Sequence, residues 1–149
     1  MIKKIFIWFF FFLILSLQSV STEEKFLSLK KNKVNVRYGP GLDQPIKYIY
    51  RKINLPVKLI DKKENMRRVI FLDNNSGWIH RSQLKKTNSI ITLKEKILFT
   101  KPSKLSTPIA KLEKGRLLIV RKCENSWCKI TTGDYSGWIK AENVWGSIK

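Results

Sequence analysis

Residues 76–79, SGWI, recur sixty residues later as SGWI at 136–139. Two further matches have a similar spacing. Pro45-Ile46 and Pro108-Ile109 lie 63 residues apart, and the segment from Glu64 aligns with the segment from Glu124 when one residue is inserted. Self-similarity at a fixed period is the signature of a repeated structural unit. The sequence therefore predicts two units of about 60 residues each, joined by residues 85–92 (KKTNSIIT).

Each unit is predicted to contain about five short strands. After residue 22 the chain shows short apolar or alternating runs, separated by turn segments such as GPGLDQP at 39–45 and DNNSG at 73–77. Many short, closely spaced strands indicate an all-β fold of small barrels or sandwiches. The predicted strands are Lys33–Arg37, Ile46–Ile53, Pro56–Ile60, Arg68–Leu72, Gly77–His80, Ile97–Thr100, Ile109–Leu112, Arg116–Arg121, Trp127–Thr131 and Gly137–Lys140.

The repeated glycine and tryptophan have predicted structural roles. We expect Gly77 and Gly137 to adopt a backbone conformation that a residue with a Cβ resists. Trp78 and Trp138 are predicted to cover one end of each core, because a unit of about 60 residues buries only about 60% of its unfolded surface. Trp127 is also assigned a structural role, whereas Trp145, near the C-terminus, either caps the second unit or lies at its surface.

The N-terminal segment has the order of a secretory signal peptide. Lys3 and Lys4 precede an unbroken apolar run over residues 5–15, and mostly small or polar residues follow at 16–22. We predict a signal helix at residues 1–21 that is cleaved, and a protein exported to the periplasm or cell envelope. The alternative is a retained membrane anchor, although the apolar run is shorter than the roughly 18–20 residues that span a bilayer.

The chain is strongly basic. Its 30 lysines and arginines against 11 acidic residues give a net charge of +19, which becomes +17 when Lys3 and Lys4 leave with the signal. Such a charge steers encounters with polyanions. For an exported protein these are lipid head groups, lipopolysaccharide phosphates and cell-wall carboxylates, and nucleic acid is not an expected partner. The alternative is a lysine-rich composition without a binding role.

Residues 34–40, VNVRYGP, and 76–84, SGWIHRSQL, resemble the bacterial SH3 domain family. In that family an N-V-R-x-G-P segment opens a small barrel, and a G-W segment that ends in leucine closes it. The second unit resembles the family less closely, because LFTKP at 98–102 keeps the proline but lacks the arginine and glycine, whereas YSGWIKAENVW at 135–145 fits well. The matching residues of the first unit are Asn35, Val36, Arg37, Gly39, Pro40, Gly77, Trp78 and Leu84.

This resemblance implies two tandem, partly open β-barrels, at residues 26–86 and 90–149. Family members are commonly exported and often bind cell-wall or peptide ligands. The implied function is therefore a non-enzymatic module for peptidoglycan or for an extended peptide of a partner protein, with no cofactor. The alternative is electrostatic binding to an anionic lipid or lipopolysaccharide surface. The resemblance leaves open which barrel binds and what the oligomeric state is.

The resemblance also implies a ligand surface. In the wider SH3 class, peptides lie across an aromatic groove beside the loop that follows the first strand. Arg37, Tyr38, Tyr48 and Tyr50 are the corresponding candidates here, with Gly39 and Pro40 as structural residues of the loop. The alternative for Tyr48 and Tyr50 is that they cover the barrel. His80 and Arg81 are further candidates, if His80 is more than an exposed strand residue and Arg81 shares a side with the basic segment KKENMRR at 62–68.

Neither catalysis nor metal binding is predicted. Acidic residues are scattered and His80 is the single histidine. Cys123 and Cys128, together with one distant histidine, do not supply four zinc ligands. If Glu124–Trp127 form a hairpin turn, the two cysteines face each other and form a disulfide. Free thiols or a redox pair are the alternatives, although the spacing is not the C-x-x-C of redox motifs.

Overall fold

The computed structural model describes residues 25–148, which form two antiparallel β-sheets of seven strands each. The all-β prediction is confirmed, whereas the predicted signal segment lies outside the described residues. No helix within residues 25–148 is long and apolar enough to cross a membrane. The strands are β1 (Phe26–Leu29), β2 (Val34–Arg37), β3 (Ile46–Tyr50), β4 (Pro56–Lys63), β5 (Met66–Ile70), β6 (Ser76–His80), β7 (Leu84–Lys86), β8 (Ser89–Thr92), β9 (Lys96–Phe99), β10 (Pro108–Leu112), β11 (Leu117–Glu124), β12 (Trp127–Thr132), β13 (Tyr135–Lys140) and β14 (Val144–Gly146).

The two sheets have the same strand order. The first runs β3-β2-β6-β5-β4-β1-β7 and the second runs β10-β9-β13-β12-β11-β8-β14, so that each strand of the first has its counterpart seven strands later. Each sheet packs around its own cluster of buried aliphatic side chains, with Val36 and Ile79 in the first and Leu98 and Ile139 in the second. The prediction of two tandem barrels is therefore confirmed.

Each barrel has seven strands rather than the predicted five. The missed strands are the first and last of each barrel, which have only three or four residues and therefore show no clear periodicity. They form because they pair with longer strands or with each other, as β1 does with β4 and β7. The predicted junction at 85–92 is mostly strand, and along the chain Thr87 and Asn88 alone separate β7 of the first barrel from β8 of the second.

The strand register corrects the alignment of the repeats. Lys63 pairs with Met66, and Glu124 pairs with Trp127, so each hairpin has a two-residue turn. Glu64 and Asn125 are the first residues of these turns, with φ of 48° and 53°. The predicted four-residue turn at 124–127 is wrong, because its outer residues pair as strand. The one-residue difference lies instead around the next turn, where the first barrel has the extra residue. Residues 71–75 separate the pair Ile70–Ser76, and residues 132–135 separate the matching pair Thr131–Ser136.

Gly77 and Gly137 are needed for close strand approach and not for an unusual backbone conformation. Neither residue has a positive φ. A Cβ on Gly137 would lie 2.6 Å from the carbonyl oxygen of Phe99. A Cβ on Gly77 would lie 2.9 Å from the carbonyl oxygen of Arg37 and would overlap the Val36 side chain. The expected reason for these glycines is therefore wrong, and the actual reason is steric.

The tryptophans lie on the outer side of their strands. In β6 the glycine and isoleucine beside Trp78 are buried, whereas Trp78 is half-buried and outside the core cluster. Successive strand residues point to opposite faces, so Trp78 does not fill the core as predicted. Trp138 has the same position in β13; it is 8% exposed, yet it also lies outside the second core cluster.

Buried hydrogen bonds join the two barrels. The Ser89 hydroxyl donates to the carbonyl oxygen of Asn54 at 2.5 Å and lies 2.8 Å from the Ser28 hydroxyl. Both serines are fully buried. Because buried hydroxyls are costly without partners, these bonds favour one relative placement of β1 and β8.

Trp145 adds a second contact between the barrels. Its indole N–H donates to the carbonyl oxygen of Pro56 at 3.1 Å. Its ring meets Phe26 edge to face, with centroids 5.1 Å apart. Trp145 therefore lies between the barrels, which is neither of the two positions considered from sequence.

Candidate functional site

A register shift at the edge of the first barrel directs a lysine toward two tyrosines. Val36 pairs with Tyr48, whereas the next residue, Arg37, pairs with Ile46. Lys47 is therefore the extra residue of a β-bulge between β2 and β3. Bulges commonly re-aim a side chain, and here that side chain is the lysine.

Tyr38, Lys47 and Tyr48 form what we call the tyrosine–lysine face. The Lys47 ammonium lies 5.6 Å from the ring centroid of Tyr38 and 5.2 Å from that of Tyr48. It also donates to the carbonyl oxygen of Ser76 at 3.1 Å. A cation over an aromatic ring is attracted by the ring's quadrupole, so the lysine and the two rings form one unit.

Arg37 holds the loop that presents Tyr38. Its Nη1 donates to the carbonyl oxygen of Gln44 at 2.7 Å, and the Tyr38 amide donates to the carbonyl oxygen of Pro45 at 3.1 Å. Gly39 lies against the Gln44 side chain, where a Cβ would approach within 2.8 Å. The loop is therefore closed at its base, while the Tyr38 side chain remains 64% exposed.

Tyr50 belongs to an aromatic stack at the mouth of the core. Its ring is stacked on Phe71 with centroids 3.8 Å apart and meets Tyr48 edge to face at 6.3 Å. Its hydroxyl donates to Asp73 Oδ2 at 3.2 Å. Burial raises the pKa of Tyr50 above its ordinary value, and the negative charge of Asp73 acts in the same direction. Both Tyr48 and Tyr50 pack against the core. The alternative role considered from sequence, that these tyrosines cover the barrel, therefore fits Tyr50 well and Tyr48 in part.

His80 and Arg81 lie at the opposite end of β6 from the tyrosine–lysine face. His80 Nδ1 accepts a hydrogen bond from the Ser82 amide at 3.3 Å and caps the 3-10 turn Arg81–Gln83. The Arg81 amide donates to the carbonyl oxygen of Asn65 at 2.8 Å. Arg81 is therefore beside the basic β4–β5 turn. The six residues predicted from sequence thus fall into two separate places.

Trp78 lies in a row of side chains that crosses the outside of the first barrel. It pairs with Arg68 on one side and with Arg37 on the other. Directly opposed residues share one face of a sheet, so the tryptophan lies between two arginine positions. The row continues to Asp61 and Ile46 at its ends.

Sequence reasoning missed Lys47 and the outward position of Trp78. For Trp78 a signal existed, because glycine and isoleucine on either side of a tryptophan place it on the opposite strand face. For Lys47 no signal existed, since a bulge follows from pairing with another strand.

The second barrel has different side chains at the matching positions. Phe99 pairs with Trp138 and Pro108, as Arg37 pairs with Trp78 and Ile46. Pro108 thus corresponds to Ile46, one residue away from the sequence alignment. Register places Phe99, Thr100, Ile109, Ala110 and Leu112 where the first barrel has Arg37, Tyr38, Lys47, Tyr48 and Tyr50.

An aromatic cluster covers the outside of the second barrel. The rings of Phe99 and Trp127 meet edge to face with centroids 5.7 Å apart. The Lys122 ammonium lies 5.1 Å from the ring centroid of Trp138. Phe99 and Trp127 are half-buried and Trp138 is 8% exposed, whereas Tyr38 is 64% exposed.

Cys123 and Cys128 form a disulfide, as predicted. They are direct partners across the β11–β12 hairpin, with Cα atoms 4.1 Å apart. Neither is a free thiol. The corresponding pair in the first barrel is Lys62 and Arg67, which are also direct partners.

Comparisons with known proteins identify a family and several similar solved structures, two of which are described here. No curated protein matches the chain. The structure of NlpC2 from Trichomonas vaginalis is similar at 15% identity and a TM-score of 0.39, over 84% of this chain and 49% of that one. The structure of NlpC1 from the same organism is similar at 16% identity and a TM-score of 0.39, over 90% of this chain and 50% of that one. This chain thus spans about half the length of each. A bacterial SH3 domain model matches twice, over residues 30–86 and 94–146, and the chain therefore belongs to the bacterial SH3 domain family.

Proposed function

We propose that this protein is an exported, non-enzymatic binding module for a cell-envelope ligand, either peptidoglycan or an extended peptide of a partner protein. Bacterial SH3 domains are generally binding modules, and a disulfide is typical of proteins in oxidising compartments. The proposed organisation is a signal segment at 1–21, a first barrel at 26–86 and a second at 90–149.

The tyrosine–lysine face carries this proposal. Tyr38 is 64% exposed, and Lys47 is held between its ring and that of Tyr48. Large rigid aromatic rings offer contact area at a low cost in side-chain entropy. Lys47 and Tyr48 of this face lie on β3, which ends the strand order of its sheet and exposes Ile46 and Ile49. An extended ligand would find apolar, aromatic and cationic groups side by side along this edge.

We assign ligand binding to the first barrel. Thr100, Ile109 and Ala110 replace the three side chains of the tyrosine–lysine face in the second barrel. Such a surface has neither the exposed aromatic ring nor the cation. The second barrel then serves to support the first and to complete surfaces between them.

The non-enzymatic assignment is supported by the state of the reactive groups. Both cysteines are consumed by the disulfide, so neither supplies a thiolate nucleophile. His80 accepts from Ser82 and caps a turn. Among residues 25–148, no three His, Cys, Asp or Glu side chains are grouped so as to hold a metal ion.

The test is co-sedimentation with purified cell-wall sacculi over a range of salt concentrations. The protein is used in the form that a bacterial host exports, and Tyr38→Ala is compared with Tyr135→Ala. Both substitutions remove an exposed tyrosine, but Tyr135 lies on β13 of the second barrel. We expect Tyr38→Ala to weaken retention about tenfold, as loss of an aromatic anchor does, and Tyr135→Ala to leave it unchanged.

Salt separates this function from its electrostatic alternative. Contacts in an aromatic groove persist as salt rises, whereas exposed charges are screened within about 8 Å at physiological ionic strength. Retention at high salt that depends on Tyr38 supports the proposal. Retention only at low salt, or equal behaviour of the two variants, contradicts it and favours binding to an anionic surface by charge.

A further inference from the structure

We propose that the groove between the two barrels is a second binding site, which takes the phosphate ester of an anionic ligand. The groove has a volume of about 1010 Å³. One wall comes from β1 and β7 of the first barrel, and the other comes from β11 and the residue after β14. Neither barrel forms this groove by itself. The proposal does not rest on the tyrosine–lysine face.

The groove is lined by positive charge. Lys25, Lys85 and Lys86 of the first barrel and Arg121 of the second line it, and no acidic residue within 25–148 does so. Like charges around one groove repel each other. A bound polyanion would relieve this repulsion, and the groove walls would focus the field toward it.

The backbone positions of these basic residues are set by the junction between the barrels. Lys85 and Lys86 pair with Ser28 and Leu27 across β1 and β7. The Ser28 hydroxyl donates to the Thr87 hydroxyl at 2.7 Å. On the other side, the Val120 amide donates to the carbonyl oxygen of Asn88 at 2.7 Å.

This last bond places Arg121 next to the junction. Val120 is the last residue before the register shift of β11, and Arg121 is the extra residue of that bulge. A cation of the second barrel is thereby held beside the lysines of the first. The backbone that carries these charges is therefore in place before a ligand arrives, and only the side chains become ordered on binding.

A phosphate ester fits this groove better than a carboxylate. A phosphomonoester carries a charge of about −1.5 to −2 at neutral pH and three strong acceptor oxygens, whereas a carboxylate carries a single charge. Lysine binds phosphate as a point charge, and arginine donates to two of its oxygens at once. Phe26 and Leu27 line the same groove and offer apolar surface for the carbon part of the ligand.

The first test is an NMR titration with two sugars that differ in their acid group. Glucose 1-phosphate and glucuronate are added to the isotope-labelled exported protein at constant ionic strength. We expect glucose 1-phosphate to shift the amide signals of residues 25–27, 85–88 and 120–121, and glucuronate to shift them at about tenfold higher concentration or not at all. Binding of the phosphate should weaken below pH of about 6, where it takes up a proton.

Charge-matched variants localise the site. Lys86→Gln combined with Arg121→Gln removes one cation from each wall, and we expect affinity for glucose 1-phosphate to fall about tenfold, since each exposed ion pair contributes up to about fivefold. Lys33→Gln combined with Lys104→Gln changes the net charge equally at exposed positions outside the groove, and should leave the affinity unchanged. Sacculi should retain both double variants as well as they retain the unmodified protein. This result would separate the groove from the proposed wall-binding face.

Vesicles distinguish two sources of the phosphate. Phosphatidylcholine vesicles with and without phosphatidic acid are sedimented with the protein and both double variants. Groove-dependent binding to phosphatidic acid assigns the phosphate to a lipid head group, and groove-dependent binding of glucose 1-phosphate alone assigns it to a soluble sugar. Equal weakening in the two double variants, equal binding of the two sugars, or no binding of any phosphate overturns the proposal.

Discussion

In the β11–β12 hairpin of the second barrel a disulfide joins Cys123 and Cys128, whereas the same two positions of the β4–β5 hairpin hold Lys62 and Arg67. In the first barrel Arg67 Nη1 donates to the carbonyl oxygens of Glu64 and Met66, at 2.9 and 2.8 Å. Each hairpin turn begins with a residue of positive φ, a conformation that is costly outside glycine. One fold thus restrains the same turn covalently in one copy and by arginine hydrogen bonds in the other.

The outer faces of the barrels differ in a related way. The first barrel leaves Tyr38 exposed beside Lys47, whereas the second buries Trp138 under Lys122 and pairs Phe99 with Trp127. The rings of the second face are half-buried or buried and therefore leave less aromatic surface for a ligand. This difference is the basis for the proposed division of roles, in which the first barrel binds the ligand and the second supports it.

The largest expected effect comes from adding a methyl group at the repeated glycine. We expect Gly137→Ala and Gly77→Ala each to destabilise its barrel by about 2–3 kcal/mol. The Gly137 Cβ would meet the Phe99 carbonyl oxygen at 2.6 Å and two side chains at 2.9 Å. A Gly77 Cβ would meet the Arg37 carbonyl oxygen at 2.9 Å and would overlap Val36, a fully buried residue whose β-branched side chain has few alternative rotamers. Urea unfolding, followed by amide signals of each barrel, measures both.

A neighbouring substitution serves as the control for this pair. Ser136→Ala alters an exposed residue adjacent to Gly137 and should change stability by less than about 0.5 kcal/mol. A cost below about 1 kcal/mol for either glycine would show that the strands around it adjust freely.

Removal of the disulfide is expected to have the next largest effect. Cys123→Ala combined with Cys128→Ala should destabilise the second barrel by about 2 kcal/mol, because the short closed loop gives a modest entropic stabilisation. Amide signals of the first barrel should report an unchanged unfolding midpoint. Reduction of the disulfide in the unmodified protein should give the same destabilisation. An equal loss of stability in both barrels would show that the hairpin of one barrel also stabilises the other.

The sequence predicted the features that depend on local pattern. The repeat of SGWI, the alternating runs and the two cysteines around a polar turn gave the two barrels, most strands and the disulfide. The sequence also contained enough information to predict which face of its strand Trp78 occupies, since a tryptophan between a buried glycine and a buried isoleucine must face outward. The error over Trp78 came from treating a large aromatic residue as core material.

Features that depend on pairing between distant segments could not be predicted from the sequence. Strand β7, with three residues, exists because it pairs with β1, and Lys47 reaches two tyrosines because β2 and β3 pair with a bulge. The steric need for Gly77 also arises across strands, from Val36 and Arg37. The candidate site depended on such contacts, which explains why four of its predicted residues lie together and His80 and Arg81 lie elsewhere.

Transfer of the disulfide to the first barrel sharpens the comparison of the hairpins. Lys62→Cys combined with Arg67→Cys places cysteines at directly paired positions. The bridge should add about 2 kcal/mol by chain entropy, and loss of the two Arg67 hydrogen bonds should remove about 1 kcal/mol. The expected net gain in the first barrel is about 1 kcal/mol, measured as the free energy of unfolding of the oxidised variant minus that of the unmodified chain. The difference between the oxidised and the reduced variant gives the contribution of the bridge alone. A gain of the full 2 kcal/mol would mean that the arginine bonds contribute nothing.

The smallest expected effect concerns Tyr50, whose counterpart in the second barrel is Leu112. Burial raises the pKa of Tyr50 above 10.0 in the folded protein, so the folded state holds this proton more tightly than the unfolded state. The resulting stabilisation is present below a pH of about 10 and is lost as pH rises through the folded-state pKa. Absorbance titration of the four tyrosines should therefore show a late phase that Tyr50→Phe removes and Tyr135→Phe leaves in place.

Because Leu112 does not titrate, the first barrel alone should lose stability through this group in alkali. A late phase that survives Tyr50→Phe would place the protected hydroxyl elsewhere and would remove the stack on Phe71 as the source of this difference between the barrels.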